Sequence, residues 1–256
     1  METISCEEVR KLCQALIRQP SLSGQEKGAS LVLQTYMKEQ GVFDTIQVDD
    51  YGNTLASIKG DRPGPVVLFD GHIDTVPVED ETAWTYPPFA GDIHGNRLYG
   101  RGASDMKGAL AAMTVGAVQF ARQTKKKFAG TLYIAAVVHE ECFEGVAARA
   151  ISQAIRPDYV IIGEASGLDL KVGQRGRAEI VLESKGKSCH SANPEKGVNA
   201  VYKMCKAIAC LQQVPAPVHP VLGKGILELT DIKSSPYPGA SVVPDYCRAT
   251  YDRRLL

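Results

Sequence analysis

The stretch Pro65-Val66-Val67-Leu68-Phe69-Asp70-Gly71-His72-Ile73-Asp74-Thr75-Val76-Pro77 decides how the rest of the chain is read. Its apolar, β-branched start reads as a buried strand. That strand ends by delivering a histidine and an aspartate two positions apart. If extension continues to Asp74, the period of two puts both side chains on one face. There an imidazole can ligate a metal while a carboxylate orients it. A histidine satisfied by a neighbouring acid in an ordinary β-to-α loop explains the triplet equally well. The rest of the chain must decide.

Three further positions repeat the pattern. Leu98-Tyr99-Gly100-Arg101-Gly102-Ala103-Ser104-Asp105 turns tightly on its glycines and lands an acid at a helix start, where negative charge is favoured. Taken alone, Asp105 is an ordinary N-cap. Val137-Val138-His139-Glu140-Glu141 sets two adjacent carboxylates after an apolar strand, which is costly without positive charge between them. If extended, the pair points to opposite sides, leaving one to ligate and the other to act as a base. A solvated acidic turn is the plain alternative, since Glu144 follows. Ile161-Ile162-Gly163-Glu164 again ends a strand on an acid.

In an open α/β sheet, ligands gather beyond the carboxyl ends of the strands. His72, Asp105, Glu140, Glu141 and Glu164 are therefore expected to converge. Hard oxygen ligands with few imidazoles and no thiolate suit zinc, cobalt or manganese, and two ions can share one carboxylate.

The pattern outward from these sites alternates helix and strand. Helical spacing covers 4–18, and Ser23-Gly24-Gln25-Glu26 reads as a capping box for a second helix closing at Gly41. Strands are expected at 42–48, 54–59 and 66–69, then a long irregular stretch at 77–104. Asp105 opens a helix through 120, followed by a buried strand at 131–138, a helix at 145–154 and a buried strand at 159–162. The expectation is α/β: a mixed sheet covered by helices. Composition changes near Gly173-Gln174-Arg175-Gly176. A half-exposed strand at 177–185, a helix at 198–211 and strands at 226–232 and 246–254 make a smaller α+β unit. The boundary falls between a first domain, 1–174, and a second, 175–256.

Lys+Arg and Asp+Glu balance at 29 each, which leaves no field for nucleic acid or an anionic membrane. No apolar run reaches the ~20 residues of a membrane span, and the N-terminus lacks a signal-peptide pattern. Seven scattered cysteines without C-x-x-C spacing suit reduced thiols. A cytoplasmic protein is expected.

Gly71-His72-Ile73-Asp74-Thr75-Val76-Pro77, Gly100-Arg101-Gly102 with Asp105-Met106-Lys107-Gly108, Glu140-Glu141 and Glu164 occur in this order along the chain. Together they resemble the di-zinc amidohydrolase and metallopeptidase family of aminoacylase, acetylornithine deacetylase, succinyl-diaminopimelate desuccinylase and glutamate carboxypeptidase. Gly173-Gln174-Arg175-Gly176-Arg177 and Leu222-Gly223-Lys224-Gly225 look most like its YgeY-like branch.

The resemblance implies a zinc-exopeptidase-like catalytic domain plus a ferredoxin-like lid and dimerisation domain. The family continues beyond Leu256, so it implies that both are incomplete at the C-terminus and that the last histidine of metal two lies outside this chain. His72 and Glu164 would hold metal one, Glu141 metal two, and Asp105 would bridge both through a cis Asp105–Met106 bond. Asp74 would orient His72. Glu140 would be the general base for a water bridging the two ions. His190 would reach a partner subunit's active site to stabilise the oxyanion, which implies a homodimer.

Asn199 and Arg254 would contact the substrate, whereas Ser241-Val242-Val243-Pro244 departs from the family's Asn-x-x-Pro. His94, His139 and His219 match no ligand position. The implied cofactor is Zn2+, with Co2+ or Mn2+ as alternatives. The implied reaction is hydrolysis of an N-acyl amino acid or small-peptide amide, with Glu rather than Asp at 164 tilting towards deacylases. A dipeptidase or carboxypeptidase, or a non-catalytic metal-binding dimerisation protein, are the competing expectations.

Overall fold

A computed structural model describes residues 5–143 and 145–256. The chain divides into two compact units between Asp169 and Leu170. The first contains α1 (Cys6–Ile17), α2 (Lys27–Gln40), β1 (Thr45–Val48), β2 (Thr54–Lys59), β3 (Arg62–His72), β4 (Asp92–His94) and β5 (Arg97–Tyr99). It continues through α3 (Gly108–Thr124), β6 (Ala129–Val137), α4 (Val146–Ile155) and β7 (Tyr159–Ile162).

Local chemistry sets the helix ends. The Ser5 hydroxyl accepts from the Glu8 amide to cap α1, and α2 closes on Gly41 in the left-handed region at φ 66°. The capping box expected at 23–26 does not form. α2 begins after Glu26, which makes no side-chain cap. The Ser23 hydroxyl instead donates to Asp74 Oδ2 at 2.7 Å, and Glu26 Oε1 accepts from the Gly24 amide at 2.8 Å. A long-range carboxylate outcompetes the local cap for the same hydroxyl.

The main sheet has the order β1-β2-β6-β3-β7. β1–β2 and β2–β6 are antiparallel, whereas β6, β3 and β7 run parallel. His72 therefore lies level with Val137, and Asp70 with Ile162, so three chain segments leave the sheet at one end. Leu16, Ile17, Leu33, Ile58, Leu110 and Ile134 form part of the core between sheet and helices. β7 departs from the buried strand expected there, because all four of its residues are exposed. It is an edge strand whose one ladder among the described residues is with β3.

The second unit contains β8 (Gly176–Lys185), β9 (Cys189–His190), α5 (Ala200–Gln212), β10 (Val218–His219), β11 (Gly223–Lys224), β12 (Ile226–Ser235), β13 (Val242–Val243) and β14 (Tyr246–Leu255). Its antiparallel sheet, β12-β14-β8, packs Cys247 and Ala249 against Ala200 and Met204 of α5. Two-stranded ladders join β9 to β13 and β10 to β11.

Cysteine environments give a direct check on this packing. Cys13 is buried, and burial pushes its thiol up to about 11, so it stays unreactive in the folded chain. In a native thiol-labelling time course, the exposed Cys6, Cys142, Cys205 and Cys210 should react first. Cys13 and Cys247 should react only after denaturation. Fast native labelling of Cys13 would contradict the packing of α1.

Candidate metal centre

His72 closes β3 with its side chain 1% exposed. Its Nδ1 lies 2.9 Å from the Asp74 carbonyl oxygen. With the proton there, the Nε2 lone pair is free and faces outward. Nε2 lies 2.8 Å from Asp105 Oδ1, 3.3 Å from Glu164 Oε1 and 4.0 Å from Glu140 Oε2. His72, Asp105 and Glu141 each offer a ligand atom, all within 4.8 Å of one another. The five converging residues predicted from sequence do meet.

Asp74 acts differently from a simple carboxylate–histidine pair. Its Oδ1 is 3.6 Å from Nδ1, beyond hydrogen-bond range, so the backbone carbonyl makes the orienting contact. The carboxylate is taken up elsewhere. Oδ1 accepts from the Glu140 amide at 3.1 Å, and Oδ2 from the Glu141 amide at 3.1 Å and the Ser23 hydroxyl.

The neighbouring amides are held in the same manner. Val138 N–H donates to Asn53 Oδ1 at 2.9 Å and His139 N–H to Glu26 Oε1 at 3.2 Å. Four successive N–H groups, 138 to 141, are thus bonded to side-chain oxygens from distant segments. This fixes the turn that carries Glu140 and Glu141.

Asp105 is not an N-cap. It sits at φ −125°, ψ 100° in a π-type turn over Ala103–Lys107, joined to Met106 by a cis peptide bond, and α3 starts only at Gly108. Its side chain is 63% exposed, while Met106 and Lys107 beside it are fully buried.

Electrostatics define what this cluster can hold. Burial opposes a charged His72, yet Asp74, Glu164 and Asp105 outweigh it and push the imidazole up to about 11. Burial, then crowding by neighbouring acids against the pull of His72, raises Glu140 and Glu141. Burial would raise Asp74, but the adjacent His72 imidazole and hydrogen bonds from Ser23 and the two amides hold it low. Acids outnumber cations here, and the lone pairs meet at one point. That donor set fits a divalent cation with oxygen and imidazole ligands.

Two groups were missed by sequence reasoning. Asp70 lies two positions before His72 on the same strand face; burial pushes it up to about 6, and its buried Oδ1 has no hydrogen-bond partner. The period-two alternation would have flagged it. Ser23 was hidden behind its capping-box reading.

The second-unit residues are engaged locally. His190, on β9, is exposed and its Nδ1 accepts from the Ala192 amide at 3.1 Å, which leaves the proton on Nε2. Asn199 Oδ1 caps α5 by accepting from Val201 and Tyr202 amides. Arg254 Nε pairs with Asp252 Oδ1 at 2.8 Å. His94 stacks on Tyr86, and His219 accepts from the Val221 and Leu222 amides.

Fold and cluster together define an α/β protein with a candidate divalent-metal centre at the carboxyl ends of its parallel strands. Comparison with known proteins takes this further. Residues 68–236 match the sequence profile of peptidase family M20/M25/M40, and the chain belongs to that family. It is 32% identical over 252 residues to protein YgeY of Escherichia coli, covering 97% of this chain and 61% of that one. It is 33% identical over 257 positions to a succinyl-diaminopimelate desuccinylase of Cereibacter sphaeroides, covering 94% of this chain and 66% of that one. The chain thus spans less than two thirds of the length of either relative.

Its fold matches that of aminopeptidase PepT from Bacillus cereus with a TM-score of 0.66 at 22% identity, over 99% of this chain and 68% of that one. It also matches a dinuclear metal-binding M20 peptidase of Bacillus subtilis at 0.64 and 18%, over 97% and 64%. No helix among the described residues is long and apolar enough to cross a membrane.

Replacing Asp74 by Ala strands two amides and one hydroxyl at once. At about 1–3 kcal/mol per buried group left unsatisfied, the expected loss is about 3 kcal/mol or more. Chemical denaturation of metal-free protein measures it, and a loss under about 1 kcal/mol would show that water replaces the carboxylate freely.

Proposed function

We propose that this chain carries the centre of a metal-dependent hydrolase acting on the amide bond of an N-acyl amino acid. The observation that carries the proposal is the convergence of His72 Nε2 with Asp105, Glu164, Glu141 and Glu140 at one end of the sheet. Family membership and the desuccinylase relatives support the acyl-amide substrate. Glu rather than Asp at 164 supports it too, by the resemblance.

His72, Asp105, Glu141 and Glu164 would hold the metal, with zinc proposed and two ions served by the shared Asp105. Bound there, divalent cations supply Lewis-acid polarisation of the scissile carbonyl and acidify water.

The remaining work falls to the chain's own groups. Glu140 is the general base: its carboxylate takes a proton from the attacking water as the oxygen–carbon bond forms. It then returns that proton to the leaving nitrogen as the carbon–nitrogen bond breaks. A raised carboxyl suits both roles, since it binds the proton more readily than a free glutamate and still releases it. Asp74 keeps Glu140 in place through its amide.

In the second unit, proposed as a lid and dimerisation domain, His190 Nε2–H is a donor for the oxyanion. Asn199 Nδ2 and the Arg254 guanidinium are proposed substrate donors, in a cytoplasmic homodimer.

Glu140→Gln should lower kcat by about 10²–10⁴-fold while metal content by mass analysis stays at the wild-type level. Retained turnover would remove Glu140 from its role. A screen of N-acetyl and N-succinyl amino acids against dipeptides tests the substrate class, and faster dipeptide cleavage would replace the deacylase reading with a dipeptidase.

A further inference from the structure

Lys107 is the one lysine in the first unit's buried core, and the chemistry assigned above does not use it. Its side chain is fully buried. Its Nζ donates to two main-chain carbonyls, Leu16 O at 3.0 Å and Gln19 O at 2.9 Å. Those oxygens belong to the end of α1 and the residues just beyond it, where partial negative charge collects; Leu16 O also accepts from the Gln19 amide at 3.2 Å. A lysine can fill that role from its own helix end. Here it comes from a different segment, Ala103–Lys107, which also carries Asp105.

The chain then runs from Gln19 directly into the His72 arm. Ser21 Oγ donates to Ile73 O at 2.7 Å, the Thr75 amide donates to Ser21 O at 2.9 Å, and Ser23 Oγ donates to Asp74 Oδ2. Residues 16–23 thus form a strap. One end grips the Asp105 turn through Lys107, and the other grips the His72–Asp74 turn through Ser21 and Ser23.

Asp105 needs such an anchor. Its side chain is mostly in solvent, and its one hydrogen bond among the described residues is the contact with His72 Nε2. With that single contact, the flanking residues must help fix its position. Met106 does so by packing and Lys107 by its two charge-assisted hydrogen bonds.

We propose that Lys107 is a positioning residue that sets the separation of Asp105 from His72 by fastening the Asp105 turn to the 16–23 strap. The inference rests on reading the cluster as a metal centre, and does not require that it hydrolyse amides.

The test uses the full chain with Co2+ as probe, read by visible absorption and titration beside denaturation of the metal-free protein. Lys107→Met fills the same volume without charge. It should remain folded, bind Co2+ about tenfold or more weakly and shift the absorption envelope. Lys107→Arg keeps the charge but lengthens the reach, and should fall between the two in affinity with a shifted envelope. Met37→Ala, which cavitates the core at α2, should lower stability and leave Co2+ affinity and envelope unchanged.

Unchanged Co2+ binding in folded Lys107→Met would overturn the proposal. If that variant does not fold, unchanged affinity and envelope in Lys107→Arg overturn it. Wild-type protein that binds Co2+ without amide turnover overturns the hydrolase reading alone, whereas wild-type protein with no Co2+ band overturns both.

Discussion

The turns that carry the site depend on one buried carboxylate, that of Asp74. Asp74 accepts from Ser23, Glu140 and Glu141, and its backbone carbonyl faces His72. Three segments far apart in sequence meet on this side chain. A carboxylate bonded by neutral N–H and O–H donors keeps its charge, since each donor favours the ionised form. It can therefore hold a crowded acidic neighbourhood in place without withdrawing a ligand from it. A lysine or arginine in this position would neutralise the very charges that a metal needs.

The sheet supplies the second constraint. Parallel strands β6, β3 and β7 release their chains at the same end, so acids that follow them are driven together whether or not that is favourable. Two unit charges 4 Å apart repel by about 4 kcal/mol at an effective dielectric of 20. Burial and then crowding by other acids raise Glu140 and Glu141, and the same acids raise the imidazole against its burial. Without added positive charge the imidazole takes a proton. A divalent cation at this point would take up the same lone pairs in place of that proton.

Much of this was legible in the sequence because it obeys local periodicities. Strand periods of two and apolar runs located β2, β3 and β6, and acids at strand ends predicted the convergence on His72. What failed was governed by distant partners. Ser23 read as a helix cap because sequence shows the glutamate three residues on, not the Asp74 carboxylate folded against it. Asp105 read as a helix start, yet two residues of π-type turn, Met106 and Lys107, separate it from α3. β7 read as buried from its Tyr-Val-Ile-Ile composition, and its edge position exposes it. Asp70 was passed over since attention to His72 looked forward along the strand rather than back.

The glycine in Gly71-His72 shows how far a sequence motif can be explained by packing. Its backbone is not in the left-handed region, so turn geometry gives no reason for it. A Cβ there would stand 2.7 Å from Met106 Cε, and one at Gly163, before Glu164, would stand 2.7 Å from Met113 Cε and 3.0 Å from Met106 Cε. Gly71 precedes His72 at the end of β3, Gly163 precedes Glu164 just past β7, and Met106 follows Asp105. Two methionines, Met106 and Met113, therefore share the space that two missing side chains leave open. The segments carrying His72, Asp105 and Glu164 pack together through those contacts. A methyl group at Gly71 or Gly163 would push the tips of Met106 and Met113 aside, and the packing between these segments would have to be rebuilt around them.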